Sequence, residues 1–120
     1  MNKRSVGDGR EKMAAAYLSG RGVRIAEKNF RLRQGEIDLI GYEDKTLVFF
    51  EVKYRKNADC GSPAEAVGIR KQTQICRVAA FYRSFHNISF DTPVRYDVIS
   101  ILGDEITWIK NAFPERVWGL

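Results

Sequence analysis

The sequence has few of the side chains on which common metal and nucleophile chemistries depend. Its 120 residues include two cysteines, Cys60 and Cys76, and one histidine, His86. The cysteines lack CxxC spacing, which argues against a standard structural zinc site. Two cysteines and a single histidine also argue against a Cys–His or Ser–His nucleophilic dyad. The two cysteines could form a disulfide, but nothing in the sequence indicates secretion.

Long hydrophobic runs are also absent. The longest, Met13–Leu18, has six residues, whereas a membrane-spanning helix needs about 20. The basic residues 1–12 are followed by no signal-peptide apolar segment. We therefore expect a cytoplasmic protein with no membrane partner. No repeat or linker divides the chain, so residues 1–120 are expected to form one domain, with residues 1–7 as a flexible arm.

Charge is distributed unevenly along the chain. The net charge is +5, and residues 1–34 hold nine basic against three acidic side chains. Residues 61–86 hold four basic and one acidic side chain, whereas residues 35–60 and 87–120 are each net −2. Basic segments around an acidic centre suit a polyanion held over a metal site, although a basic soluble protein would have the same composition.

The most informative segment is residues 35–55, in which charged side chains recur at every second position of two apolar stretches. Glu36, Asp38 and Ile40 are predicted to share one face of a strand, with Ile37 and Leu39 on the other. In the next stretch one face carries the alternating set Phe49, Glu51, Lys53 and Arg55, and the other carries Val48, Phe50, Val52 and Tyr54. The linking residues 43–45 suit a hairpin turn.

A turn centred on residues 44 and 45 would place Asp38 opposite Glu51 and Glu36 opposite Lys53. Two carboxylates ~4 Å apart at an effective dielectric of about 20 repel by on the order of 4 kcal/mol. A divalent cation between them would remove this repulsion, and carboxylate oxygens are the ligands that Mg²⁺ or Mn²⁺ prefers. The alternative is a solvated polar face on which Lys53 pairs with Glu36.

The remaining segments predict an α/β domain with a mixed sheet of about five strands flanked by helices. Helices are predicted over residues 8–19 and from Ser62, an N-cap followed by proline, to about Phe85, with Gly68 marking a bend. Strands are predicted over residues 23–30, in the hairpin, and over residues 94–102 and 106–110. The second helix has its apolar face at Ile75, Val78, Ala79 and Tyr82.

This pattern resembles the restriction-endonuclease-like nucleases of the PD-(D/E)xK superfamily, and more closely the YraN-like family of uncharacterised bacterial proteins, which is similar to archaeal Holliday junction resolvases. The match covers nearly the whole chain. It rests on Gly7 with Glu11, Asn29, GEIDLI at 35–40, FEVK at 50–53 with Arg55, Lys71, and RYDV at 95–98. Arg10 and Tyr96 depart from the family, which usually has glycine and phenylalanine there.

The resemblance implies a restriction-endonuclease-like domain with Asp38 and Glu51 as metal-binding carboxylates and Lys53 as the catalytic lysine. It also implies that Glu11 is a further ligand, although Glu11 could instead only cap the first helix. Glu36 is either a ligand or an ion-pair partner. The implied cofactor is Mg²⁺ or Mn²⁺.

Four basic side chains near these motifs are candidates for phosphate contacts, namely Arg55, Lys71, Arg31 and Arg33. Tyr54 and Phe49 are predicted to belong to the core, as are Trp108 and Trp118, and Asp97 is interpreted as structural. The tail Val117–Leu120 is apolar and could dock on a partner subunit or on its own domain.

We therefore expect a metal-dependent nuclease that hydrolyses DNA, with branched or damaged structures as candidate substrates and a homodimer as a candidate assembly. The alternatives are a non-catalytic nucleic-acid-binding module on a nuclease-like fold and a protein-interaction adaptor. Neither alternative needs two opposed carboxylates beside a lysine.

Overall fold

The computed structural model describes residues 3–57 and 67–116, with side chains from residue 9 onward. Within these ranges the chain forms two helices and five strands. Their bounds are Lys3–Ser19 (α1), Val23–Leu32 (β1), Gly35–Glu43 (β2), Thr46–Arg55 (β3), Ile69–Phe85 (α2), Val94–Leu102 (β4) and Glu105–Ile109 (β5).

The strands form one mixed sheet in which the spatial order is the sequence order. The pairs β1–β2, β2–β3 and β4–β5 are antiparallel. Strands β3 and β4 are parallel, because α2 returns the chain to the same end of the sheet between them. The predicted α/β domain with a five-stranded mixed sheet flanked by helices is confirmed.

The two helices cover opposite faces of the sheet. In β3 the alternation is clear, since Leu47 and Phe49 belong to one buried cluster and Val48 and Phe50 to the other. The first cluster takes in the predicted apolar face of α2, all of which is buried: Ile75, Val78, Ala79 and Tyr82. The second takes in Ala14, Ala15 and Leu18 of α1.

Both helices begin at residues other than those predicted. Helix α1 begins at Lys3, so residues 3–7, expected to belong to an arm, are helical. The start had been predicted at residue 8, where Asp8 and Glu11 have a spacing close to that of a capping box. Helix α2 begins at Ile69, with Gly68 as its N-cap in an extended conformation, so Gly68 marks no bend within the helix. The predicted start at Ser62 lies outside the described residues.

The β2–β3 hairpin has the predicted turn and register. Its two-residue turn consists of Asp44 and Lys45, and Asp44 has a φ of 53°, a conformation that aspartate tolerates better than most residues. Pairing runs from Glu43 opposite Thr46 to Leu39 opposite Phe50. The register extrapolates to Asp38 opposite Glu51, but the pairing ends one residue before them. We call this point the fork.

One predicted face of β2 is wrong. Ile37 was assigned to the face of Leu39, but Ile37 packs in the α2-side cluster and Leu39 in the α1-side cluster. The alternation therefore fails across Asp38, where the pairing between β2 and β3 ends. Regular alternation requires a continuous pleat. Here β2 stays paired with β1 at Leu39 and at Ile37, so the irregularity is local to Asp38.

Four further expectations can be compared with the described residues. Trp108 packs against the α1-side cluster and Phe49 is buried, as predicted. Cys76 is a buried free thiol, whereas Cys60 and the tail Val117–Leu120 with Trp118 lie outside the described residues. No helix in the described ranges has both the length and the hydropathy that a membrane crossing demands.

Candidate metal centre

Asp38 occupies the fork and is fixed there by the backbone of β3. Its Oδ2 accepts a hydrogen bond from the Val52 N–H at 2.7 Å. The group also lies in hydrogen-bonding contact with the carboxyl of Glu51, which is 8% exposed. The amide bond holds an oxygen of Asp38 beside the neighbouring carboxylate, so the two acidic groups predicted to face each other do so.

The electrostatic cost of this arrangement is visible at Asp38. Its pKa is raised from 3.8 to about 8, first by burial and then by the hydrogen bond and the charge of Glu51, with a smaller contribution from Glu36. The Val52 N–H opposes this shift but is outweighed. Two adjacent ionised carboxylates would repel, so the arrangement favours a proton on Asp38.

Two more carboxylates converge on Asp38 from different elements. Glu11 of α1, Glu36 of β2 and Asp38 each offer an oxygen, and the three oxygens lie within 4.8 Å of one another. All three residues are partly buried. Glu51 is not one of these three converging groups, but it contacts Asp38. We call the four residues the carboxylate cluster, which contains every carboxylate ligand proposed from the sequence. Its all-oxygen donor set fits Mg²⁺ or Mn²⁺ and is a poor match for soft metals.

Three cationic side chains border the cluster, and they differ in their ion-pair partners. Lys71 of α2 pairs with Glu51 at 3.6 Å, and Arg31 of β1 pairs with Glu36 at 3.1 Å. The cross-strand partner of Glu36 is therefore Arg31, and the alternative in which Lys53 pairs with Glu36 is not what the structure contains. Lys53 is half-buried and forms no ion pair with any residue in the described ranges.

The other candidate phosphate contacts lie at the edges of this region. Arg33 is exposed in the β1–β2 turn, and Arg55 is half-buried at the end of β3. The Arg31 side chain is 73% exposed despite its ion pair. An exposed pair of this kind is worth about 1 kcal/mol or less, so it leaves the arginine available to a phosphate.

A contact that positions the start of β2, next to Glu36, was not predicted from the sequence. The Gln74 side chain of α2 donates a hydrogen bond to the Gln34 carbonyl at 2.9 Å, so the helix holds the turn that leads into Glu36. The next residue, Gly35, has a φ of 152°, and a Cβ there would lie 2.7 Å from Gln74 atoms. No local signal could have revealed this contact, since the partners are 40 residues apart.

Replacing Gly35 by alanine is expected to lower the free energy of unfolding by about 2–3 kcal/mol, because it adds backbone strain to a clash with Gln74. Urea unfolding of Gly35→Ala, Gln74→Ala and the double variant separates the two terms. In the double variant the clash is absent, so we expect it to regain that part of the unfolding free energy and to keep the loss from backbone strain. The losses of the two single variants are therefore not additive. Strict additivity would contradict the proposed contact.

Tyr54 corrects another sequence prediction. It was assigned to the core, but it is 43% exposed, and the Arg10 guanidinium lies 3.9 Å from its ring centroid. Val48 and Phe50 share the Tyr54 face and are buried, so the pattern was sound and only its extent was wrong. Tyr54 is the next-to-last residue of β3, beyond the part of the strand that these buried residues occupy.

Asp97 lies outside the cluster in a fully satisfied structural network. It accepts hydrogen bonds from Arg95 at 2.9 Å, the Trp108 indole at 2.8 Å and the Asn111 N–H at 2.8 Å. Arg95 also pairs with Glu43 at 2.8 Å. The pKa of Glu43 is lowered, chiefly by a hydrogen bond from Lys110. These contacts agree with the structural interpretation of Asp97.

Comparison with known sequences matches a family model to the part of the chain that contains the cluster. The profile of the uncharacterised protein family UPF0102 matches residues 10–101. A UPF0102 protein of Lachnoclostridium phytofermentans is 46% identical over 113 residues, which cover 94% of this chain and 96% of the relative. A UPF0102 protein of Clostridioides difficile is 43% identical over 115 residues (94% and 100%). The UPF0102 protein YraN of Escherichia coli is 41% identical over 117 residues (97% and 89%).

Proposed function

Because the chain belongs to the uncharacterised protein family UPF0102, whose name states no activity, we propose from the site itself that it is a metal-dependent nuclease hydrolysing phosphodiester bonds of DNA. The expected relationship to YraN-like proteins is confirmed. The nuclease activity, the metal and the DNA are the proposal, and they rest on the carboxylate cluster and its surroundings.

The observation that carries the proposal is the contact between Asp38 and Glu51 at the fork. A fold has no structural need for two partly buried carboxyls that force one pKa up to about 8. Asp97 shows the contrast, since its buried carboxylate is neutralised by Arg95 and two further donors. Within the described ranges Asp38 itself has no cationic partner, since Lys71 pairs with Glu51 and Arg31 pairs with Glu36. Strongly perturbed carboxyls of this kind are typical of functional sites.

The residues present fit a divalent cation. Glu11, Glu36 and Asp38 offer converging oxygens, and Glu51 adjoins Asp38. A bound Mg²⁺ or Mn²⁺ would supply Lewis-acid stabilisation of phosphoryl oxygens and a more acidic water. The Val52 N–H donates to the Asp38 oxygen at 2.7 Å and holds it in place.

The lysines of the site have separable roles in this proposal. Lys53 follows Glu51 by two residues on the same strand, so its ammonium projects to the same side as that carboxylate. Its lack of an ion pair within the described ranges suits a group that stabilises negative charge developing on the scissile phosphate. Lys71 is engaged with Glu51 and orients that carboxylate.

The distribution of charge favours DNA over an uncharged substrate. The chain carries 20 basic and 15 acidic side chains. The exposed Arg31 lies just before the turn that leads into Glu36, and the exposed Arg33 lies in that turn. Phosphate contacts of this kind fix the position of a nucleic acid without reading its bases. The proposal therefore predicts selection by DNA shape, with binding that weakens steeply as salt rises.

The test is cleavage of labelled duplex, single-stranded, flap and four-way-junction DNA by purified protein in Mg²⁺, Mn²⁺ or EDTA. We expect metal-dependent cutting that Asp38→Asn and Glu51→Gln reduce by at least about a thousandfold. Glu43→Gln is the matched control, because Glu43 is a carboxylate paired with Arg95 and Lys110 outside the cluster.

Three results would count against the proposal. Cutting that persists in EDTA, or equally in all variants, would mark a contaminating nuclease. Salt-sensitive binding without cutting would favour a nucleic-acid-binding module on this fold. Absence of both binding and cutting would favour a protein-interaction adaptor.

A further inference from the structure

The exposed ring of Tyr54 is held on the surface by an arginine from another element. Tyr54 is 43% exposed near the end of β3. The Arg10 guanidinium of α1 lies 3.9 Å from its ring centroid. A guanidinium on an aromatic face adds positive charge and restricts the ring, so the pair is a preformed, cationic aromatic surface.

Arg10 on α1 and Tyr54 on β3 are each close in sequence to residues that form or hold the carboxylate cluster. Arg10 immediately precedes Glu11, whose carboxylate meets Glu36 and Asp38. Tyr54 immediately follows Lys53 and lies two residues beyond Val52, whose N–H holds Asp38. Tyr54 lies on the opposite face of β3 from Glu51 and Lys53, so the aromatic surface borders the carboxylate cluster from the α1 side, where Glu11 lies.

A similar pair elsewhere on α1 shows what distinguishes this one. The Arg21 guanidinium lies 3.6 Å from the Tyr17 ring centroid. Tyr17, however, is half-buried and packs against the α1-side cluster, and it lies about two helical turns from Arg10. Only the Tyr54 pair, of these two, combines exposure with proximity to the carboxylates.

We infer that Tyr54 and Arg10 form a stacking platform for an unpaired base of a DNA strand beside the scissile phosphate. Aromatic rings bind unpaired bases irrespective of sequence, and a neighbouring arginine adds attraction to the ring and to phosphate. Bases inside an intact duplex are stacked on each other and are inaccessible to such a ring. The inference rests on the proposed nuclease function and narrows its substrate to DNA with single-stranded or splayed nucleotides.

The test measures binding separately from cutting. Fluorescence anisotropy gives the affinity for single-stranded, splayed and fully paired DNA of equal length at one salt concentration, with Ca²⁺ or EDTA in place of Mg²⁺. We expect Tyr54→Ala to weaken binding to single-stranded and splayed DNA by about tenfold and to duplex by less than about twofold. Tyr54→Phe, which keeps a stacking ring, should stay within about twofold of wild type.

Two control variants match these changes away from the site. Phe90→Ala removes a 99% exposed ring from the segment before β4. The first residue of that strand, Val94, pairs with Leu47 at the opposite end of β3 from Tyr54. Arg21→Ala removes an arginine stacked on a tyrosine and matches Arg10→Ala in charge. We expect both controls to bind like wild type, and Arg10→Ala to lose severalfold affinity for the unpaired strand only.

The outcomes separate this inference from the nuclease proposal. Equal losses on duplex and single strand for Tyr54→Ala, or no loss on either, would overturn the platform even if the wild type cuts DNA. Tyr54-dependent binding of single strands without any metal-dependent cutting would keep the platform and remove the nuclease. A 2-aminopurine base in the strand adds a direct readout, since its fluorescence should be quenched by wild type and Tyr54→Phe but not by Tyr54→Ala.

Discussion

The Asp38→Asn variant is expected to be more stable than the wild type in metal-free buffer near pH 8. Asparagine can still accept the Val52 N–H bond that holds Asp38 at 2.7 Å. It carries no charge beside Glu51, so it avoids the repulsion and burial that raise the Asp38 pKa. A substitution that removes activity would thus raise the free energy of unfolding.

The gain has a definite pH dependence. The Asp38 pKa is about 8 in the folded protein against an ordinary value of 3.8, so below about pH 4 the carboxyl is protonated in both the folded and the unfolded state. Between these values only the unfolded state releases the proton, so rising pH lowers wild-type stability by about 1.4 kcal/mol per unit. The advantage of Asp38→Asn should grow from near zero to roughly 5 kcal/mol across this window.

Urea unfolding in EDTA at a series of pH values measures this difference. Asp97→Asn is the matched control, because Asp97 is also buried but is neutralised by Arg95. Breaking that buried pair should destabilise the protein by about 3 kcal/mol. The account fails here if the wild type is as stable as Asp38→Asn near pH 8, or if the two asparagine variants change stability in the same direction.

Lys53→Gln is expected to reduce single-turnover DNA cleavage by about a hundredfold to a thousandfold, with much smaller changes in DNA affinity. The reason is that a charge acting on the developing transition state contributes to rate more than to ground-state binding. In the described ranges Lys53 has no ion pair that would be lost with it, so stability should change little.

Lys71→Gln provides the comparison within the same site. The Lys71 side chain is 38% exposed and pairs with Glu51 at 3.6 Å, and a pair of this exposure contributes about 1 kcal/mol or less. We expect a rate loss within about tenfold, together with a severalfold loss of DNA affinity. A larger rate loss for Lys71→Gln than for Lys53→Gln would contradict these roles, and would assign transition-state stabilisation to Lys71 instead of Lys53.

The hairpin that builds the site was predictable because its rules are local. The turn at residues 44 and 45 set the register, and the register brought Asp38 and Glu51 together. The apolar spacing of α2 likewise predicted its buried face correctly. Turn type and periodicity depend on neighbouring residues alone, and such features can be derived from one sequence.

The features of the site that the sequence did not predict depend on contacts between distant segments or on a local irregularity. Gln74 holds the turn at Gln34, and Arg10 stacks on Tyr54, although neither residue forms part of a recognisable motif. Ile37 lies on the other face from that predicted, because the alternation fails where the pairing of β2 with β3 ends. Periodicity indicates which side chains share a face only while the pleat of the strand is regular, and here it is broken at Asp38.

The most direct test of the central claim is Mn²⁺ uptake, followed through the electron paramagnetic resonance signal of the free ion. We predict that the wild type binds Mn²⁺, that Asp38→Asn and Glu51→Gln each weaken binding by more than about tenfold, and that Glu43→Gln binds like wild type. Mg²⁺ should displace the ion, and affinity should rise with pH as Asp38 loses its proton. No uptake by the wild type at millimolar Mn²⁺, or equal uptake by Asp38→Asn, would contradict the assignment of the carboxylate cluster as a metal centre.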